Sequence, residues 1–177
     1  MGIQQEFKKV KLFCGLIYGS RDVYMDIVGK LQVVFSDVDV ESQQFDFDFT
    51  TYYNAEMGSP LYRRFITFDR LITPDRLPDV KAITNRIEDV NAVDGKRVVN
   101  LDPGYLSDAN VIIATTKNHY HRIPLDKGIY AHMEYVIKKK NTLTPLEWTY
   151  PDFRTPHYMA FFEKLLLLFK QNLKGEK

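Results

Sequence analysis

The chain alternates between apolar runs and polar, turn-rich stretches, and the period of each run predicts an element. Val10 to Tyr18 (VKLFCGLIY) is apolar at both odd and even positions, the mark of a strand covered on both faces. Ser20 is a good helix N-cap and Asp22 favours the first turn. Val23, Ile27, Leu31, Val34 and Phe35 then recur at helical spacing over about four turns. Val38 to Phe49 reads as the next strand, because Phe45, Phe47 and Phe49 alternate with Asp46 and Asp48. A polar and aromatic stretch, Thr50 to Arg63, leads to a strand over Arg64 to Ile72. Thr73, Pro74 and Asp75 then open a helix with an apolar stripe of Leu77, Val80, Ile83, Ile87 and Val90. Asp94-Gly95 turns the chain into a short strand, Arg97 to Leu101. The order β-α-β-β-α-β predicts a ferredoxin-like, split βαβ first half.

The second half carries a different pattern. Val111 to Thr116 is strand-like, and Asp126-Lys127-Gly128 predicts the turn of a β-hairpin between His121 to Leu125 and Ile129 to Lys139. Trp148 to Arg154 reads as a loop. Thr155-Pro156 begins a C-terminal helix with Phe161, Phe162, Leu165, Leu168 and Phe169 on one side, and the run Leu165 to Leu168 widens that surface. Such a helix is either well buried or a contact for a homodimer. The expected fold is α+β: a mostly antiparallel sheet, the ferredoxin-like half, and a β-hairpin and C-terminal helix extension. No repeat or linker breaks residues 1–177, so one domain is expected.

Composition narrows the chemistry. A formal net charge of +1 leaves only a local patch to attract nucleic acid, so a nucleic-acid partner is not expected. The single cysteine, Cys14, lies in an apolar run, which excludes an intrachain disulfide and a multi-cysteine metal site. No run approaches the ~18 apolar residues of a membrane span, and Met1 to Lys9 lacks the apolar core of a signal peptide; no membrane association and a cytosolic location are the expectation. Tyr and Phe are abundant (11 and 12 residues), and Tyr in particular suits ligand contact.

Several blocks carry a family resemblance. They are Phe45 to Tyr53 (containing FDFTTYY), Met57-Gly58, Leu61 with Arg63 and Phe65, Lys81, Thr84-Asn85 and Asn100 to Tyr105 (NLDPGY). Thr116-Lys117, His121-Arg122-Ile123, Gly128 to Ala131 and Trp148 to Asp152 (WTYPD) continue it. With these blocks the chain resembles the bacterial and archaeal family of domains of unknown function numbered 4416. The resemblance implies no established activity; some members carry a GTP-binding label. The family pattern has an acid where this chain has His132.

Each candidate chemistry makes a demand on spacing. A P-loop needs Gly-x-x-x-x-Gly-Lys-Ser/Thr, whereas Gly29-Lys30 and Gly95-Lys96 are followed by Leu31 and Arg97 and lack the upstream glycine. Asp26 to Gly29 imitates a GTPase D-x-x-G on a helical stripe. RNA stacking of the RRM kind needs Lys/Arg-Gly-Phe/Tyr at the third strand, and Arg64 to Phe68 has no glycine. Paired His-x-Thr/Ser motifs of two-histidine phosphoesterases are absent. His119, His121, His132, Glu134 and Asp102 are metal-ligand types, but pairing Leu125 with Ile129 sets His121 and His132 on opposite sheet faces, so no metal site is expected.

The remaining reading places a small phosphate-bearing or nucleotide-like ligand in a pocket at the strand ends. Arg63, Lys117 and Arg122 supply charge-assisted hydrogen bonds; Tyr105, Tyr150 and Asp152 line the site; Asp102 and His121 supply acid–base chemistry if they converge. The bland counterpart is a Pro-Gly turn capped by Asp, with Arg paired on the surface. Two alternatives stand beside it: a non-catalytic interaction module that self-associates through Leu165 to Phe169, and an RNA-binding domain. The identity of any cofactor is left open by the sequence.

Overall fold

A computed structural model describes residues 2–175. It shows a mixed helix and strand protein built on one sheet, ordered β2-β4-β1-β5-β6-β8-β7, with β3 on β4 and β9 on β8. The strands are β1 (Val10–Tyr18), β2 (Val38–Glu41), β3 (Phe45–Asp46), β4 (Tyr62–Ile72), β5 (Val99–Leu106), β6 (Asn110–Thr115), β7 (Ile123–Pro124), β8 (Tyr130–Lys138) and β9 (Thr142–Pro145). The helices are α1 (Arg21–Val34), α2 (Asn54–Met57), α3 (Leu77–Val90) and α4 (Pro156–Gly175). Every named ladder is antiparallel.

β1 is apolar at both parities because both of its faces are covered. Leu12, Cys14, Leu16 and Tyr18 pack with α1 (Tyr24, Ile27, Leu31) and α3 (Val80, Ile87). Phe13, on the other face, joins Phe65, Tyr135 and α4 (Phe161, Phe162, Leu165, Leu166, Phe169). Ser20 caps α1 as its spacing predicts, accepting from Val23 N–H at 3.3 Å. Leu166 replaces Leu168 in the buried stripe of α4, and of the wide apolar run only Leu167 projects, 53% exposed. The helix surface suggested as a homodimer contact is therefore taken up by the molecule's own sheet. The same packing covers Phe13 and Phe65, the rings that stacking of the RRM kind would offer to bases.

Three expected boundaries differ. The strand expected over Val38 to Phe49 is two short pieces, broken at Ser42 to Gln44, because Ser42 Oγ accepts from Phe65 N–H and interrupts the ladder. The hairpin register holds (Ile123↔Ala131, Pro124↔Tyr130), yet β7 is only two residues long. The largest departure is Asp102 to Tyr105, expected at a turn beyond the strand and found inside β5. Leu101 N–H and C=O both point away from β1, so alternation puts Pro103's missing N–H on that same side, where no strand partner waits. Gly104 is needed because β6 and Phe13 crowd it: a Cβ there would lie 2.3 Å from Ile112 O and 2.5 Å from the Phe13 ring.

Candidate functional site

β5 and β6 pair only from Gly104↔Ile113 to Leu106↔Val111, although β5 starts at Val99 and β6 runs on to Thr115. The strands part beyond Pro103. On the freed edge, Lys81 Nζ donates to Leu101 O at 2.7 Å and Glu88 Oε1 accepts from Leu101 N–H at 2.5 Å. Two side chains of α3 thus replace a missing strand. Above them opens a cavity of about 590 Å³, which has Asn85, Asn100 and Asp102 along its base and Phe49, Tyr52, Tyr53 and Tyr150 among its walls.

Burial sets the charge of the acids in this floor. It raises Glu88 to about 7, against the opposing pull of Lys81. Burial also pushes Asp102 up, but Arg63 and Lys81 outweigh it and hold the carboxyl below its ordinary range. Arg63 is 2% exposed and donates to Asp102 Oδ2 at 2.7 Å and Asp152 Oδ2 at 3.0 Å. Its guanidinium lies 5.2–5.9 Å from the ring centres of Phe47, Phe65 and Phe153. Burial opposes its charge, and the two carboxylates more than restore it. Arg63 and Asp152 line the cavity as parts of a compensated ion cluster joining β4, β5 and the turn before α4.

Lys117 and Arg122 are different. Neither has a carboxylate within salt-bridge distance among the described residues, and both line the cavity. Lys117 Nζ sits 4.5 Å from the Tyr52 ring centre. Arg122 donates from Nε to His132 Nδ1 (3.2 Å), from one terminal nitrogen to Lys117 O (2.7 Å) and from the other to Tyr150 Oη (2.8 Å). All three acceptors are neutral groups. Burial raises the Tyr150 phenol to about 12 and lowers His132 to about 4, with Arg122 adding to the second shift. Glu134, wholly buried behind Tyr150, is raised well above its ordinary value by desolvation.

Two expected site residues lie elsewhere. Tyr105 occupies the opposite parity of β5 from Asp102 and packs with Leu77 and Ile112; it borders a separate hollow of about 490 Å³ beside Lys8 and Ser107. His121 stacks on Trp148 (5.0 Å between centres, 8° between planes) outside the cavity lining, so it does not converge with Asp102. It does reach His132, ring nitrogen to ring nitrogen at 3.1 Å, contrary to the parity argument. The reason is local: Arg122 N–H bonds His119 O, so His119 to Arg122 is a turn and strand alternation does not apply to it.

Phe49, Tyr52, Tyr53, Lys81, Asn85, Glu88 and Asn100 escaped the list of expected site residues. A sequence profile described as Domain of unknown function (DUF4416) matches residues 8–167. The chain belongs to this family. No curated protein and no solved structure matches it. The matched span holds every residue of the cavity; the resemblance blocks Phe45 to Tyr53, Lys81, Thr84-Asn85 and Asn100 to Tyr105 were the available signal for those missed, except Glu88, which lies in none of them.

Proposed function

We propose that this member of the DUF4416 family binds a small ligand that carries both phosphate and a planar ring, of the nucleotide kind, in the cavity between β5 and β6. One observation carries the reading: Arg122 is fixed by three neutral acceptors, while no described carboxylate compensates it. A guanidinium has five N–H groups, and three are used here. Each terminal nitrogen keeps one, which is the fork that grips two oxygens of a phosphate. Lys117 adds a second uncompensated charge through the same loop. Phe49, Tyr52 and Tyr53 supply ring faces, and a volume of about 590 Å³ suits a ligand of this size.

The roles of the other residues follow. Asp102, Asp152 and Arg63 hold the frame, and Asn85, Asn100 and Glu88 form the polar floor. Acid–base chemistry by Asp102 with His121 has no geometric support and forms no part of the proposal. The order β2-β4-β1-β5, with α1 and α3 on one face, supports reading the first half as a ferredoxin-like unit extended by β6 to β9 and α4.

Thermal unfolding against orthophosphate, AMP, ADP, GDP and adenosine tests the proposal. Ligand at 100 times its Kd stabilises by about 2.7 kcal/mol, which raises Tm by roughly 5–10 °C in a chain of this size. A nucleotide should exceed both orthophosphate and adenosine. No shift with any of them at millimolar concentration would count against the cavity as a nucleotide site.

A further inference from the structure

We infer that the turn between β6 and β7 is a binding site for a divalent transition metal of the copper(II) or nickel(II) kind, ligated by His119 Nδ1 and His121 Nδ1. The two nitrogens stand 2.9 Å apart on the outer side of the turn closed by Arg122 N–H and His119 O (3.0 Å). This site lies outside the cavity lining and is independent of the nucleotide proposal.

The hydrogen-bond order fixes the state of His121. Arg122 Nε can only donate, so His132 Nδ1, which receives it at 3.2 Å, carries no proton. His121 Nε2 lies 3.1 Å from that same His132 nitrogen; because that nitrogen is bare, the hydrogen between them is on His121, which shares with Arg122 the single lone pair that His132 offers. The proton of neutral His121 is therefore on Nε2, and its bare Nδ1 accepts from His119 Nδ1–H at 2.9 Å; a metal ion takes the place of that hydrogen, and His119 then carries its proton on Nε2. With Nδ1 bare, His132 carries its hydrogen on Nε2, which lies 3.3 Å from Glu134 Oε1 but forms no hydrogen bond with it; both side chains are wholly buried. A ligating imidazole with its far N–H tied to an acceptor is the arrangement that orients and strengthens a metal ligand. Stacking on Trp148, itself tied to Met133 O at 3.0 Å, fixes the plane of the His121 ring.

Distance selects the metal. With metal–nitrogen bonds of about 2.0–2.1 Å, two nitrogens 2.9 Å apart subtend roughly 90° at the ion. A tetrahedral ion needs about 3.3–3.4 Å between them, so a tetragonal ion with two cis imidazoles fits better than zinc. No group of three or more His, Cys, Asp or Glu that could hold a metal occurs among the described residues, so water or an added small ligand completes the sphere. The Arg122 guanidinium nearby opposes a dication, which confines the site to ions with strong imidazole affinity.

The test uses the full chain without a histidine tag, stripped with chelator, then titrated with copper(II) and nickel(II) chloride by calorimetry. One equivalent should bind, and the copper spectrum in electron paramagnetic resonance should show coupling to two nitrogens. His119→Ala and His121→Ala, both at a surface turn, should each weaken binding at least tenfold, while His157→Ala leaves it unchanged. His132→Phe keeps both ligands but removes the acceptor that orients His121, and should weaken binding about 10–100-fold. Affinity indifferent to His119→Ala or His121→Ala overturns the site, and affinity indifferent to His132→Phe overturns the orientation on which it rests.

Discussion

Replacing Arg63 with Met would strand two carboxylates. The aliphatic part of Met occupies much the same space among Phe47, Phe65 and Phe153, so the loss is electrostatic rather than a cavity. Removing one partner of a buried ion pair costs about 3–5 kcal/mol. Asp152 is nearly inaccessible (side chain 7% exposed) while Asp102 keeps some solvent contact (23%), which places the expected cost near 4 kcal/mol rather than at the sum of two pairs. With a urea slope of about 2 kcal/mol per molar, the unfolding midpoint drops by roughly 2 M.

The same variant carries a pH signature. In the parent, Arg63 and Lys81 hold the Asp102 pKa below its ordinary value, so this carboxylate adds stability above the unfolded pKa and loses it as pH falls through the folded one. Without Arg63, burial dominates and the folded pKa rises above the unfolded value, which reverses the slope. The difference between parent and variant should therefore grow from pH 3 to pH 7. Urea melts at both pH values measure it. A cost under about 1 kcal/mol that does not change with pH would refute the view of Arg63 as the compensated centre of a structural cluster.

Other consequences are sharp enough to measure. Gly104→Ala forces a Cβ against Ile112 O and Phe13, and should cost more than about 3 kcal/mol in chemical denaturation; a neutral result would contradict the close β5–β6 crossing. Glu88 has its folded pKa raised from near 4.5 to about 7, so its contribution is present at acid pH and lost as pH rises through 7. Glu88→Gln should remove that slope, gaining up to about 3 kcal/mol relative to the parent between pH 5 and pH 8.5, as read from paired urea melts. Ser20→Ala removes the cap on Val23 N–H and should lower stability by about 1 kcal/mol without touching ligand affinity.

The elements were legible where a face of the chain repeats against one neighbour. The two-sided apolar run of β1, the Ser20 cap and the stripe of α3 are local signals, and each marks a real element. Pro103-Gly104 misled because those residues usually make turns, and only the opening between β5 and β6 lets Pro sit in mid-strand. The cavity was half legible. Lys117, Arg122 and Tyr150 share it because the β6–β7 loop and the segment before α4 meet, and the expected list had gathered them from strand ends. Arg63, Asp102 and Asp152 are far apart in sequence, so nothing local announces that each neutralises the other. Tyr105 was misplaced by one step of strand parity, and His121 by a turn where strand parity had been assumed.

Calorimetric titration of ADP or GDP into the parent and the Lys117→Ala/Arg122→Ala double variant probes the phosphate grip directly. Loss of two charge-assisted contacts, each worth about 1.5–3 kcal/mol, should weaken binding by at least a hundredfold; losing Arg122's bonds to His132, Lys117 O and Tyr150 also lowers urea stability by roughly 1–3 kcal/mol, so the titration is run where both proteins are folded. Equal affinity in the two proteins, or no heat in either, would contradict a phosphate site at Lys117 and Arg122.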